Sequence, residues 1–193
     1  MDTPIVALSD RTRLAHLVKS TAQHRVLIDL ARQHGWTRGA EIGVLRGKTL
    51  FALLDAVPTL AMYGVDQWRQ LDLRADENAE TYVDFDMTAL RSRVVLKAAG
   101  YRGRCTILHG DSAAMARAVP AMSLDFVFVD GDHTEPGVER DIRAWLPTIR
   151  PGGMLLGHDW HWSSVQRVID RLCPGWVDHG EAVWGVPVES VVE

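Results

Sequence analysis

Residues 124–160, LDFVFVDGDHTEPGVERDIRAWLPTIRPGGMLLGHDW, decide how the rest of the chain reads. Residues 124–129 are an apolar run rich in branched and aromatic side chains, which suits a strand buried on both faces. The run ends abruptly in Asp130, Gly131, Asp132 and His133. From 137 to 148 the apolar residues Val138, Ile142, Trp145 and Leu146 recur at helical spacing. Pro151, Gly152 and Gly153 predict the stop of that helix and a turn. Residues 154–156 form a second apolar run, closed by His158 and Asp159. A right-handed strand–helix–strand crossover sets both acidic ends on one edge of a parallel sheet. Ligands of open α/β sheets bind at that carboxyl edge.

Working outward, strand and helix patterns keep alternating. The spacing predicts helices over about 10–34, broken near Ser20 and Thr21, with Leu14, Leu17, Val18, Leu27, Leu30 and Ala31 as the apolar stripe and Gly35 as the terminator. A strand follows at 40–42, a helix at 48–56 and a strand at 60–65 ending in Asp66. The polar stretch 67–86 reads equally as a lid or as a solvated surface insertion. Beyond it come a helix with Leu90, Val94, Val95 and Ala98 inward, a strand at 105–108, and a short helix opened by Gly110, Asp111 and Ser112. A helix at 163–172 precedes a closing hairpin around Gly180. The pattern is that of an α/β protein with a mainly parallel sheet and extra N-terminal helices. The expected organisation is a single domain over 1–193, with helices in 1–36 and the core in 37–193.

A formal net charge of −4 and a pI near 6.0 imply no broad basic surface, which argues against nucleic acid as partner. No apolar run reaches bilayer length, and the first residues lack the basic start and apolar centre of a signal peptide, so a cytoplasmic location is expected. Cys105 and Cys173 form no zinc or redox spacing and read as free thiols.

Glu41-Ile42-Gly43-Val44-Leu45-Arg46-Gly47 leaves the first core strand and enters a helix. Gly43 permits a sharp turn, and Gly47 lets the helix start lie close to strand or ligand. Leu45 replaces the middle glycine of the dinucleotide fingerprint, which disfavours close approach of a pyrophosphate. Asp66 ends the next strand, where a carboxylate accepts hydrogen bonds from both hydroxyls of a ribose. Asp111 and Ser112 either reach a base edge or cap their helix. Acids at successive strand ends, with a glycine turn at the first, point together to a nucleoside site.

The pieces AEIGVLRGKT, YGVDQW, LHGDS, LDFVFVDGDHTEPGVERDIRAWLP and RPGGMLLGHDW, in that order over about 40–160, resemble class I S-adenosylmethionine-dependent methyltransferases. The likeness is greatest to small bacterial members related to the macrocin-type sugar O-methyltransferases. The resemblance implies a three-layer Rossmann-like sandwich whose seven-stranded sheet has a reversed last strand. It implies S-adenosylmethionine held by Glu41, Ile42, Gly43, Gly47 and Thr49 at the methionine end, by Asp66, Gln67 and Trp68 at the ribose, by Asp111 and Ser112 at the adenine, and by Asp130 at the methyl-transfer centre. Metal-dependent sugar O-methyltransferases carry one Asp after the fourth strand and an Asp-Asp pair after the fifth. Here that pair is His158-Asp159. Asp130, His158 and Asp159 are therefore the candidate metal ligands, a set softer than three carboxylates. Magnesium, manganese, iron, zinc and a metal-free site all stay open.

Asp130, His133, His158 and Asp159 are the candidate catalytic residues. His133 is the candidate general base, with Asp132 to orient it or to bind metal instead. His161, between Trp160 and Trp162, can line an acceptor pocket. The expected activity is methyl transfer to a small molecule, at oxygen, in a homodimer by default. The rival readings are a nicotinamide-dependent oxidoreductase, a non-catalytic nucleoside-binding or dimerisation module, and a metal-dependent hydroxylase on the same fold. Leu45 and the lack of a Tyr-x-x-x-Lys pair weigh against the first.

Overall fold

A computed structural model of the protein describes residues 22–69 and 85–191. The predicted helix before residue 22, with Leu14, Leu17 and Val18, and the lid reading of 70–84 lie outside the described residues. The elements run α1 (Gln23–His34), β1 (Arg38–Ile42), α2 (Lys48–Ala56), β2 (Ala61–Asp66), α3 (Met87–Ala99), β3 (Cys105–His109), α4 (Ser112–Ala116), β4 (Leu124–Val129), α5 (Glu135–Trp145), β5 (Ile149–Gly157), α6 (Ser163–Leu172), β6 (Val177–Asp178) and β7 (Trp184–Pro187). The seven strands form one sheet in the order β3-β2-β1-β4-β5-β7-β6. Strands β1 to β5 pair in parallel, and β7 is antiparallel to both β5 and β6. This is the mostly parallel α/β sheet with a reversed last strand.

The alternation of β4 builds the three layers. Phe126 and Phe128 enter the core shared with Leu27 and Leu30 of α1, Leu50 and Leu53 of α2, and Val94 of α3. Val127 and Val129 enter the opposite core with Ile142 and Trp145 of α5 and Val168 and Ile169 of α6. Each such buried side chain contributes about 1.5–3 kcal/mol relative to exposure. Strand β4 is therefore buried on both faces, and its ends are fixed points for the chemistry beyond them. Among the described residues no helix is long and apolar enough to cross a membrane.

Local signals explain the helix ends. Gly35 closes α1 in the left-handed conformation, φ 65°, and its amide returns to the last carbonyls of the helix. Thr134 caps α5 by accepting from the Gly137 amide. Two expectations need correction. Val95 is 48% exposed, because the inward stripe of α3 is Met87, Val94 and Ala98. Helix α5 ends at Trp145, a 3-10 turn spans Leu146–Thr148, and Pro151-Gly152-Gly153 lies inside β5 rather than before it. The pairing of β4 with β5 shifts register between Leu124 and Phe126, so the Pro-Gly-Gly segment is an irregularity within a continuing strand. A Cβ on Gly153 would come within 2.6 Å of the Asp125 carbonyl, so only glycine lets the two strands close there.

Candidate functional site

The carboxyl ends of β1, β2, β4 and β5 meet around the glycine turn. Gly43 sits at φ 93°, and a Cβ there would lie 2.0 Å from the Asp130 carbonyl oxygen. The turn after β1 therefore passes directly against the end of β4. Asp66 accepts from the Leu45 amide at 2.8 Å through one oxygen and from the Trp68 amide at 2.6 Å through the other. The Trp68 indole returns to the Leu45 carbonyl at 2.9 Å. Asp66 is thus fixed by backbone donors, with a lone pair to spare for a ligand. Burial raises its pKa, and the amides only partly offset this. Glu41 is buried with one oxygen unpartnered. Burial, then Asp130 and Asp66, push its pKa well up. A cationic ligand beside these three acids would relieve that repulsion.

Asp111 caps α4, its carboxylate accepting from the Ala114 amide at 3.0 Å. Ser112 is buried, and its hydroxyl accepts from the Trp145 indole at 2.8 Å. The cap reading of this pair holds for the Asp111 side chain, while both residues still stand at the carboxyl end of β3.

The four candidate catalytic side chains come together. His133 Nε2 stands 3.2 Å from Asp159 Oδ2 and 3.7 Å from Asp130 Oδ1. His158 Nδ1 stands 3.1 Å and 3.6 Å from the same two oxygens. The other nitrogen of His158 is 3.0 Å from the Glu181 carbonyl, so Nε2 carries the hydrogen and donates it. Asp159 is itself left-handed, φ 57°. Burial disfavours the His133 imidazolium, but Asp130 and Asp159 outweigh it and push the pKa up to about 10. His158 is raised in the same way. The two imidazoles in turn overcome burial and hold the Asp159 carboxyl well below the usual range.

Two contributors escaped sequence reasoning. Gln23, near the start of α1, is buried and donates to Asp130 Oδ2 at 2.9 Å and to Thr49 Oγ1 at 3.1 Å. The other is the backbone of Glu181, in the hairpin before β7. Neither carries a motif, because each acts through a contact made only in the folded chain.

A family model for a methyltransferase domain matches residues 40–160, well over half of the chain. The chain belongs to this family. It is a class I S-adenosylmethionine-dependent methyltransferase. Among solved structures, a cofactor-bound protein of MTB, Rv0187, is similar over 97% of this chain and 84% of its own, at 17% identity and a TM-score of 0.62. The O-methyltransferase NovP is similar over 88% and 79%, at 12% identity and a TM-score of 0.63. The S-adenosylhomocysteine-bound methyltransferase PaMTH1 of Podospora anserina is similar over 84% and 76%, at 16% identity and a TM-score of 0.59. At these identities the likeness is one of fold.

The methyltransferase places its predicted acids in two groups. Glu41, Asp66 and Asp130 surround the glycine turn, and Asp130 also joins Asp159, His133 and His158. The donor atoms of Asp130, His133 and Asp159 lie within 4.8 Å of one another. Asp132 orients no histidine ring: one of its oxygens accepts from the Thr134 amide at 2.9 Å, at the start of α5. Trp162 packs on His133 with ring centroids 5.2 Å apart, and Trp160 packs on Trp176 at 5.6 Å. His161 Nε2 lies 3.7 Å from the second oxygen of Asp159.

Proposed function

We propose that the enzyme transfers the methyl group of S-adenosylmethionine to a hydroxyl oxygen of a small molecule, assisted by a divalent ion at Asp130 and Asp159. The observation that carries this reading is the convergence of two carboxylates and two imidazoles beside the glycine turn. The donor set fits an ion: His133 Nε2 is enclosed without a hydrogen-bond partner and faces both carboxylates. When bound, a divalent ion lowers the pKa of an acceptor hydroxyl and fixes its oxygen.

The chain's own residues supply the rest. Gly43 and Gly47 leave bare backbone beside the methionine moiety, with Ile42 and Thr49 flanking it. Glu41, Asp66 and Asp130 surround the cationic end of the cofactor with negative charge, and that attraction weakens once the sulfonium becomes a neutral thioether. Asp66 holds the ribose hydroxyls, with Gln67 and Trp68 beside it, and Asp111 and Ser112 border the adenine. His133 and His158 keep Asp159 ionised, and Trp162 walls the acceptor side. In-line displacement needs mainly that donor and acceptor be oriented and kept dry, which this edge provides.

The test is calorimetric titration with S-adenosylmethionine, followed by turnover on catechols and vicinal diols. Asp66→Ala should weaken cofactor binding by about tenfold or more. Asp159→Ala should spare cofactor binding and lower turnover about 100-fold or more. Methyl transfer to nitrogen acceptors alone would overturn the oxygen assignment.

A further inference from the structure

The cluster at the ends of β4 and β5 is built from nitrogen as well as oxygen. Because the Glu181 carbonyl can only accept, His158 Nε2 carries a hydrogen, and its Nδ1 faces an Asp159 oxygen at 3.1 Å. A proton or a metal ion shared between the two atoms makes that approach favourable. His133 Nε2 stands 3.2 Å from the same oxygen, and the donor atoms of Asp130, His133 and Asp159 lie within 4.8 Å of one another. Asp130 is turned toward the cluster because Gln23 holds its other oxygen.

We propose that His133 Nε2 is a metal ligand beside Asp130 and Asp159, and that this nitrogen-containing set takes a first-row transition ion, of the Mn2+, Co2+ or Zn2+ class, in preference to Mg2+. The proposal rests on the metal-assisted reading above. It follows from donor chemistry: imidazole suits transition ions, whereas Mg2+ favours oxygen ligands and keeps much of its water. His133 therefore belongs to the ion and not to the acceptor's proton.

The experiment titrates the full-length, metal-stripped protein separately with Co2+ and Mg2+ by calorimetry, with the visible absorption of bound Co2+ as a second readout. Cofactor binding is the check on folding. One Co2+ site is expected, bound more than about tenfold tighter than Mg2+. His133→Ala should weaken Co2+ binding about 10–100-fold and alter the Co2+ spectrum. His133→Asp, which restores an all-oxygen set, should narrow the preference for Co2+ over Mg2+ about tenfold. Equal affinity for the two ions, Co2+ binding indifferent to His133→Ala, or binding of no ion at all would each overturn the proposal. In the last case the carboxylates are balanced by imidazolium protons alone. A Co2+ preference that depends on His133, in a protein that methylates no hydroxyl acceptor, would uphold the site and sink the proposed reaction.

Discussion

Strand β4 carries an aspartate near each end, and the two occupy opposite environments. At the amino edge Asp125 is enclosed by fixed donors. The Thr37 and Arg38 amides point at one oxygen, and Arg150 Nε donates to the other at 2.6 Å. Burial opposes its ionisation, but these donors outweigh it and hold the carboxyl below its ordinary pKa. At the carboxyl edge Asp130 meets one neutral amide, from Gln23, and otherwise faces two imidazoles shared with Asp159. Asp125 is satisfied by the fold, whereas Asp130 keeps an oxygen aimed at the two imidazoles. A carboxylate closed by backbone amides ties strands together; one met by side chains can exchange those partners for a ligand.

Substitutions can break that contrast. Asp125→Ala should have the largest effect on stability, about 2–3 kcal/mol, because it strands the Thr37 and Arg38 amides. Tm should fall by about 5–10 °C in a calorimetric scan, with cofactor affinity unchanged. A loss of cofactor binding without a loss of Tm would reverse the roles of the two ends.

A third acid sharpens the comparison. Asp141 on α5 is buried, with one oxygen that accepts no hydrogen bond and lies 3.6 Å from Arg140 Nε, and burial pushes its pKa up to about 6, only partly offset by Arg140 and Ser112. Its folded pKa lies above the unfolded value, so its favourable contribution is complete below about pH 4 and is lost as pH rises through about 6. Asp141→Asn should therefore raise stability by about 2 kcal/mol at pH 8 and leave it nearly unchanged at pH 4. Denaturation curves at the two pH values check this; a variant less stable at pH 8 would mean that the contacts of Asp141 with Arg140 and Ser112 outweigh its burial.

The smallest effect on stability is expected at Gln23→Ala, about 1 kcal/mol from the lost hydrogen bonds to Asp130 and Thr49. Its effect on turnover should be larger in proportion, about tenfold, if the amide orients Asp130. Unchanged turnover at saturating cofactor would confine Gln23 to packing.

Periodicity was enough to place β4, α2 and α6, because long apolar patterns report burial directly. Gly35 was legible as a helix end because its left-handed conformation is a local demand. The Pro-Gly-Gly segment misled for the complementary reason: it reads as a turn, yet the pairing of β5 with β4 carries the strand through it. The first glycine turn, Asp66 and the two acidic strand ends were all visible, since each is a residue type fixed at the end of an element.

The sequence by itself determined the alternating α/β architecture and the placing of Asp66, Asp130 and Asp159 at the carboxyl ends of strands on one sheet edge. Only the tertiary structure decided which nitrogen of His158 faces those acids, that His133 joins them, and that Gln23 from the first described helix reaches Asp130 across 107 positions of chain. Backbone propensity and hydrophobic period are properties of neighbouring residues and can be read in order. The orientation of a buried imidazole depends on partners brought near by packing, and no spacing along the chain records it.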